Sequence, residues 1–232
     1  MDASMAAGHV LLDPARRAAP QVYEWLRKQI IALQYAPGTT LSRNDLMDRF
    51  GLSQTPIRDA LLRLSNEGLV DIFPQSTTRV SAIDLDQAIQ THFLRRAIEI
   101  EIVRTLALAS DKSFVPQLEA IVADQAEMQQ SADLVRFESS DKAFHAVLYQ
   151  AATVPDLWTL IRDRSGHIDR LRRLDLPRPG KIEAIVASHR AIVDAIIASD
   201  AMEAQHHVRE HLSGTLSHVD DIRAAHPAYV KA

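Results

Sequence analysis

The stretch LSRNDLMDRFGLSQTPIRDALLRLSNEGL, residues 41–69, decides the reading of the N-terminal third of this chain. It carries two short amphipathic helices around a tight turn at Gly51-Leu52-Ser53. Ser42 and Ser53 stand where N-caps are wanted, and a hydroxyl there can accept an orphan backbone N–H. Pro56 falls in the first turn of the second helix, where a missing donor costs nothing. Leu46 and Phe50 on the first helix, then Ile57, Ala60, Leu61 and Leu64 on the second, give each an apolar stripe. Gln54, Thr55, Arg58 and Asp59 are left exposed at the front of the second helix. A helix–turn–helix that reads DNA needs this arrangement, because the front of its second helix enters the major groove. A helical hairpin that only packs would show the same stripes.

Upstream, Val22, Leu26, Ile30 and Leu33 line one face of a helix over about residues 20–33, which Pro37-Gly38 ends. Downstream, Gly68 closes the second helix of the pair. Residues 69–73 alternate as a strand, Pro74, Gln75, Ser76 and Thr77 make a turn, and residues 78–81 return as the partner strand. Three helices followed by a small hairpin make a winged helix. Beyond Ala82 the strand signals disappear. Helices are expected at about 84–109, 114–130, 133–152, 156–174, 181–198 and 200–222, with breaks at Asp111, Ser131, Pro155, the Pro177-Arg178-Pro179-Gly180 run and Ser199-Asp200. Such short connections make consecutive helices pack antiparallel as a bundle. The expected organisation is mainly α: a flexible arm at 1–19, a winged helix–turn–helix at 20–82, an all-α bundle of about six helices at 83–222, and a frayed tail at 223–232.

Composition narrows the function classes. The 232 residues allow two small domains, and 47% hydrophobic content with 7 glycines suits a packed, helical protein. The absence of cysteine removes disulfides, thiolate catalysis and Cys-based zinc fingers. No apolar run approaches the roughly 20 residues that span a bilayer. The first residues, with Asp2, Asp13, Arg16 and Arg17, do not read as a signal peptide. A cytoplasmic protein with no membrane partner is expected. The net charge of −4 is unevenly spread: residues 1–80 carry nine Lys and Arg against eight Asp and Glu, and the remainder 17 against 22. Any DNA contact therefore belongs to the N-terminal third, through placed arginines rather than a broad basic field.

The N-terminal unit resembles the DNA-binding domain of the GntR family of bacterial transcription regulators. The residues that carry the resemblance are Pro37-Gly38, Leu41-Ser42, Leu46, Phe50-Gly51-Leu52-Ser53, Thr55-Pro56-Ile57-Arg58-Asp59-Ala60-Leu61, Leu64 and Glu67-Gly68-Leu69-Val70. The all-helical remainder is similar to the FadR-type effector domain, FCD. Together the two cover about residues 20–222. The resemblance implies that the front of the second helix and the wing touch a double-stranded DNA operator. Arg58 then becomes the base-contact candidate, since a guanidinium can grip guanine O6 and N7 bidentately. Ser53 and Thr55 suit phosphate oxygens at a helix N-terminus, with capping as the other role of Ser53. Arg43 and Asn44, at the start of the preceding helix, and Thr77 and Arg79 in the wing complete the candidate set. Gln54 stands where the family commonly has arginine, Arg43 where an acidic residue is common, and Thr77 where glycine is usual. Gln54 can read adenine N6 and N7 instead, and loss of the wing glycine shifts contact toward Arg79.

In the helical part, Asp141 and His145 lie four apart in SDKAFHAVLY and share a helix face. Phe144, Val147 and Leu148 belong to the buried side, which turns His145 inward. His189 opens SHRAIVDAI and His211 sits in REHLSGTL. Taken alone, each of the 10 histidines reads first as a surface or satisfied core residue. The FCD resemblance implies more: these four positions match its Asp-x-x-x-His, His, His metal pattern, suited to zinc, nickel or manganese. Ser188 replaces a glutamate frequent in the family. By spacing His207 competes with His211, and His167 is an outer or alternative ligand; His206, His207 and His218 read as surface. Arg95 and Glu99 match an Arg-x-x-x-Glu pattern in which Arg95 grips an effector carboxylate, against a plain i,i+4 ion pair. Arg96 substitutes if the register is off by one. Arg170, Arg172 and Arg173 read as a solvated face, with one of them able to line a cavity. The implied function is a ligand-responsive regulator, in the first instance a repressor and not an enzyme. It would act as a homodimer on a pseudo-palindromic operator, with a small carboxylate effector such as a sugar acid or organic acid. The alternatives are a metal-free regulator of an acyl or apolar ligand, and a metal-dependent hydrolase for which no general base is identifiable.

Overall fold

The computed structural model describes residues 9–73, 77–129 and 133–231. The chain forms two compact units, Met1–Asp84 with His226–Ala232, and Leu85–Ala225. It is mainly helical, and no helix among the described residues is long and apolar enough to cross a membrane.

The first unit contains α1 (Ala18–Ile31), β1 (Thr40–Leu41), α2 (Arg43–Phe50), α3 (Gln54–Asn66), β2 (Val70–Ile72) and β3 (Thr78–Val80). Val22, Leu26 and Ile30 of α1 join Leu46, Phe50, Ile57, Leu61 and Leu64 in one core. Each such side chain, fully buried, stabilises by about 1.5–3 kcal/mol. Gly51 ends α2 at φ 63°, and Leu52 N–H reaches back to Met47 O at 3.1 Å, so the turn between the helices needs a left-handed residue. α1 stops before residue 33 because Leu33 itself adopts φ 58°. The sheet has three strands, in the order β1-β3-β2, not two. The added strand pairs Thr40 with Arg79 and Leu41 with Thr78. Phe73 N–H donates to Thr77 O at 3.0 Å to close the hairpin; the expected turn residues Pro74, Gln75 and Ser76 lie outside the described residues.

Both ends of the chain depart from expectation. Of the arm expected to be flexible, residues 9–17 are tied down. Val10 N–H bonds Arg49 O at 3.1 Å, the Gln21 carboxamide bonds Asp13 and Arg16, and Val10 and Leu12 pack on the core. The tail is not frayed either. Val230 forms a parallel bridge with Ile83, held by Ile83 N–H to Tyr229 O at 2.8 Å and Lys231 N–H to Ile83 O at 2.9 Å.

The second unit contains α4 (Leu85–Leu108), α5 (Val115–Met128), α6 (Leu134–Ala151), α7 (Pro155–Arg164), α8 (Gly166–Asp175), α9 (Lys181–Ile197), α10 (Ala201–Ser213) and α11 (Val219–Ala225). The single helix expected over 156–174 is broken at Ser165, whose hydroxyl bonds Arg162 O and Asp169 Oδ2 while Gly166 weakens continuation. The one expected over 200–222 is broken at Gly214, whose carbonyl accepts from Lys181 Nζ and Ser217 Oγ, and a 3₁₀ turn (Leu216–His218) follows. The expected break at Ser131 lies outside the described residues. Packing does not simply follow chain order: α4 lies chiefly on α10, and α5 on α6 and α9. That arrangement brings α4, α6, α9 and α10 around one polar cluster inside an otherwise apolar core.

Candidate functional site

The front of α3 is solvent-facing. Ser53, Gln54, Thr55, Arg58 and Asp59 are exposed, while Ile57, Ala60, Leu61 and Leu64 are buried. The Arg58 side chain is 59% exposed, with only a 3.6 Å approach to Asp59, and is free to reach outward. The two serines differ. Ser42 Oγ accepts from Asp45 N–H at 3.3 Å, as an N-cap should. Ser53 occupies the cap position of α3 but its hydroxyl makes no capping bond, so the capping role expected of it is absent. Arg43 and Asn44 are exposed at the start of α2. In the wing Thr77 is half-buried, whereas Arg79 is exposed, with its guanidinium 5.8 Å from the Phe73 ring centre.

Inside the second unit, Asp141 and His145 of α6, His189 of α9 and His211 of α10 present ligand atoms that all lie within 4.8 Å of one another. His211 Nε2 is 3.2 Å from His145 Nε2 and 3.3 Å from His189 Nε2, and His189 Nε2 is 3.7 Å from Asp141 Oδ1. The sequence folds this way because α6 places positions i and i+4 on one inward face. Phe144, its neighbour, stacks on the His189 ring at 3.9 Å between centroids and fixes that ring's plane.

The outward nitrogens of two rings face oxygen acceptors, with a hydrogen bond formed at His189. His145 Nδ1 lies 2.9 Å from Glu99 Oε2, and His189 Nδ1 lies 2.8 Å from Gln125 Oε1. Carboxylate and amide oxygens only accept, so each Nδ1 carries the proton and each Nε2 turns a lone pair into the cluster. Burial keeps all three rings neutral: it is the main cause that lowers His145, brings His189 to about 3 and holds His211 well below its ordinary value. Asp141 experiences the opposite balance. Burial raises its carboxyl, but Arg172 and the three histidines outweigh that and hold it well below the usual carboxylate range. Lone-pair nitrogens crowded around an ionised carboxylate, whose Oδ1 is buried with no hydrogen-bond donor, form a donor set that could hold a divalent cation.

Glu99 is the hub behind this cluster. Its carboxylate takes Arg95 Nε at 2.6 Å, lies against His145, and accepts from Tyr149 OH at 3.3 Å. Arg95 therefore does form the i,i+4 pair, yet its Nη2 is buried with no hydrogen-bond partner. Arg172 Nη2 donates to Asp141 Oδ2 at 2.5 Å, and Arg173 pairs with Glu138. Arg170 is fully buried beside His167, whose Nδ1 is 2.9 Å from the Arg170 guanidinium. The Arg170, Arg172 and Arg173 cluster is thus not a solvated face: α8 is short and enclosed, so its arginines turn inward onto carboxylates and a histidine. His167 and His207 stand outside the four-residue cluster; His207 is partly exposed and lies 3.5 Å from Glu203. Gln125 is a cluster contact that the sequence did not signal, and the pairing of Arg172, expected on a solvated face or lining a cavity, with Asp141 sits in no recognisable spacing. A small cleft adjoins the cluster at His211, Arg95 and Arg172.

Comparison with known proteins agrees with this architecture. Residues 18–80 match the model for bacterial regulatory proteins of the gntR family, and residues 90–214 match the FCD domain. An uncharacterized HTH-type transcriptional regulator from Streptomyces ambofaciens is 34% identical over 206 residues, covering 89% of this chain and 86% of that protein. The HTH-type transcriptional repressor RspR of Escherichia coli K12 is 30% identical over 212 residues, covering 91% and 93%. Among solved structures, E. coli McbR/YncC shares the fold with a TM-score of 0.73 at 19% identity, over 89% of this chain and 98% of that one. The chain belongs to the gntR family of bacterial regulatory proteins and is a DNA-binding transcriptional regulator with a C-terminal FCD domain.

Proposed function

We infer that this regulator is a repressor that binds a pseudo-palindromic operator as a homodimer, and that a small carboxylate effector, such as a sugar acid or organic acid, releases it. The observation that carries the sensory half is the convergence of Asp141, His145, His189 and His211 inside the core. These four would hold a divalent cation, zinc in the first instance and nickel or manganese otherwise. The bound ion would supply a Lewis-acid position for a carboxylate oxygen. Arg95, which lines the adjoining cavity and has an unpartnered Nη2, would grip the same carboxylate. Glu99 and Gln125 keep the imidazoles of His145 and His189 in the ligating tautomer.

On the DNA side, Arg58 would read a guanine edge, Gln54 an adenine, and Ser53 and Thr55 phosphate oxygens. Arg43 and Asn44 would add contacts from α2, and Thr77 and Arg79 from the wing. Support for Ser53 comes from its unused hydroxyl. A twofold dimer presents two such helices to two half-sites. The effector acts only insofar as it prefers one dimer state over the other. The name of the RspR relative supports repression.

The test is a gel-shift titration on the intergenic DNA beside the gene, with and without a chelator and candidate acids. The expected results are an acid response that the chelator abolishes, and Arg58→Ala weakening binding by about 1–3 kcal/mol. A response that survives chelation in the folded protein removes the metal from the reading. Unchanged affinity in Arg58→Ala removes the recognition-helix assignment.

A further inference from the structure

With a divalent cation in the histidine cluster, the adjoining cavity would carry more positive charge than a single carboxylate can offset. Arg95, Arg172 and Lys181 line it. Each already faces one carboxylate: Glu99, Asp141 and Asp175 respectively. Asp175 is shared, since Arg178 also approaches it at 3.2 Å. Arg178 is solvent-exposed, so three lining cations stand against three carboxylates, and a divalent ion on Asp141 and the histidines would leave an excess of two positive charges. Buried charge in such excess is costly unless a ligand compensates it.

Donor-bearing side chains line this cavity in two groups. Arg95 is one, more than nine-tenths buried and with an Nη2 that has no hydrogen-bond partner. The second group is carried by Lys181 and Thr215. The Lys181 ammonium has three donors: one bonds Gly214 O at 3.1 Å, and Asp175 Oδ2 lies 2.6 Å away as its ion-pair partner. Thr215, a buried residue, adds a hydroxyl to the same lining. Ile168, Ile185 and Leu212 supply the apolar lining, a surface for methylene groups rather than for hydroxyls.

We propose that the effector is a short aliphatic diacid, with one carboxylate at Arg95 and the histidine cluster and the other at Lys181 and Thr215. This rests on the reading of the cavity as the effector site, and it makes Lys181 and Thr215 the residues that select two acidic groups over one.

Isothermal titration calorimetry on the full-length, zinc-saturated protein tests it. Diacids from malonate to adipate are each compared with the monoacid of equal carbon number, propionate to hexanoate. One diacid binds at least about tenfold more tightly than its monoacid. Lys181→Met brings that ratio down to about one. Thr215→Val, which leaves the Lys181–Asp175 pair in place, lowers it about threefold and serves if Lys181→Met melts. Equal binding of diacids and monoacids, or a ratio kept in every folded variant, overturns the selectivity while the carboxylate reading stands. Binding of neither class to the zinc-loaded protein overturns both.

Discussion

Glu99→Gln should destabilise the second unit by about 3 kcal/mol, because the carboxylate is the counter-charge for a buried guanidinium. Glu99 has no solvent exposure and touches Arg95, His145 and Tyr149. Burial alone would raise its carboxyl, but Arg95 and His145 together bring it from 4.5 to about 2. At about 1.4 kcal/mol per pH unit, that difference between folded and unfolded chain is worth about 3 kcal/mol. The folded value is the depressed one, so this stability is fully present above pH 4.5 and is lost as the pH falls toward 2. An independent figure agrees: breaking a buried pair from one side costs about 3–5 kcal/mol. Glutamine keeps the shape and one acceptor, which places the cost at the low end. With a urea slope of about 1–3 kcal/mol per molar, the midpoint near neutral pH drops by roughly 1–3 M in the presence of chelator. Circular dichroism reads this directly. Pairing the change with Arg95→Met should recover at least half the loss, since no charge is then left uncompensated. A loss below about 0.5 kcal/mol for Glu99→Gln, or a double variant as unstable as the sum of the singles, would refute the reasoning.

The two helix-start serines should separate cleanly. Ser42→Ala costs about 0.5–2 kcal/mol of stability in thermal melts, whereas Ser53→Ala leaves stability unchanged and weakens operator binding in gel shifts. His189 is brought by burial from 6.5 to about 3, so it stays neutral while the unfolded chain takes up a proton. The metal-free protein therefore loses stability as the pH falls below 6.5, and His189→Gln should flatten that slope in urea titrations across pH. Val230→Asp buries a carboxylate against Ile83 and should cost the first unit about 1–3 kcal/mol in thermal melts.

The helix pair was legible because its boundaries are written locally. Ser42, Gly51, Pro56 and Gly68 punctuate it, and the apolar spacing assigns its faces. β1 was not, since a two-residue strand carries no period and Leu41 reads equally well as the start of a helix. The breaks at Ser165 and Gly214 hide inside amphipathic runs; Gly166 and Gly214 were the available signals, and each looks like an ordinary helical glycine. The pairing of Val230 with Ile83 depends on chain return, which no local pattern encodes. In the second unit the Asp141–His145 spacing showed one shared face. His189 and His211 came from family resemblance, because their meeting depends on α9 and α10 packing near α6. The Gln125 contact and the pairing of Arg172 with Asp141 were invisible for the same reason: they arise from α5 lying on α9 and from the inward turn of α8.

The central claim is that Asp141, His145, His189 and His211 hold one divalent cation in each chain. Elemental analysis of the purified protein after equilibrium dialysis against zinc measures this directly. The account predicts one tightly held ion per chain, lost in His189→Gln while that variant remains folded. A folded wild-type protein that retains no metal, or a His189→Gln variant that retains the same amount, would contradict it.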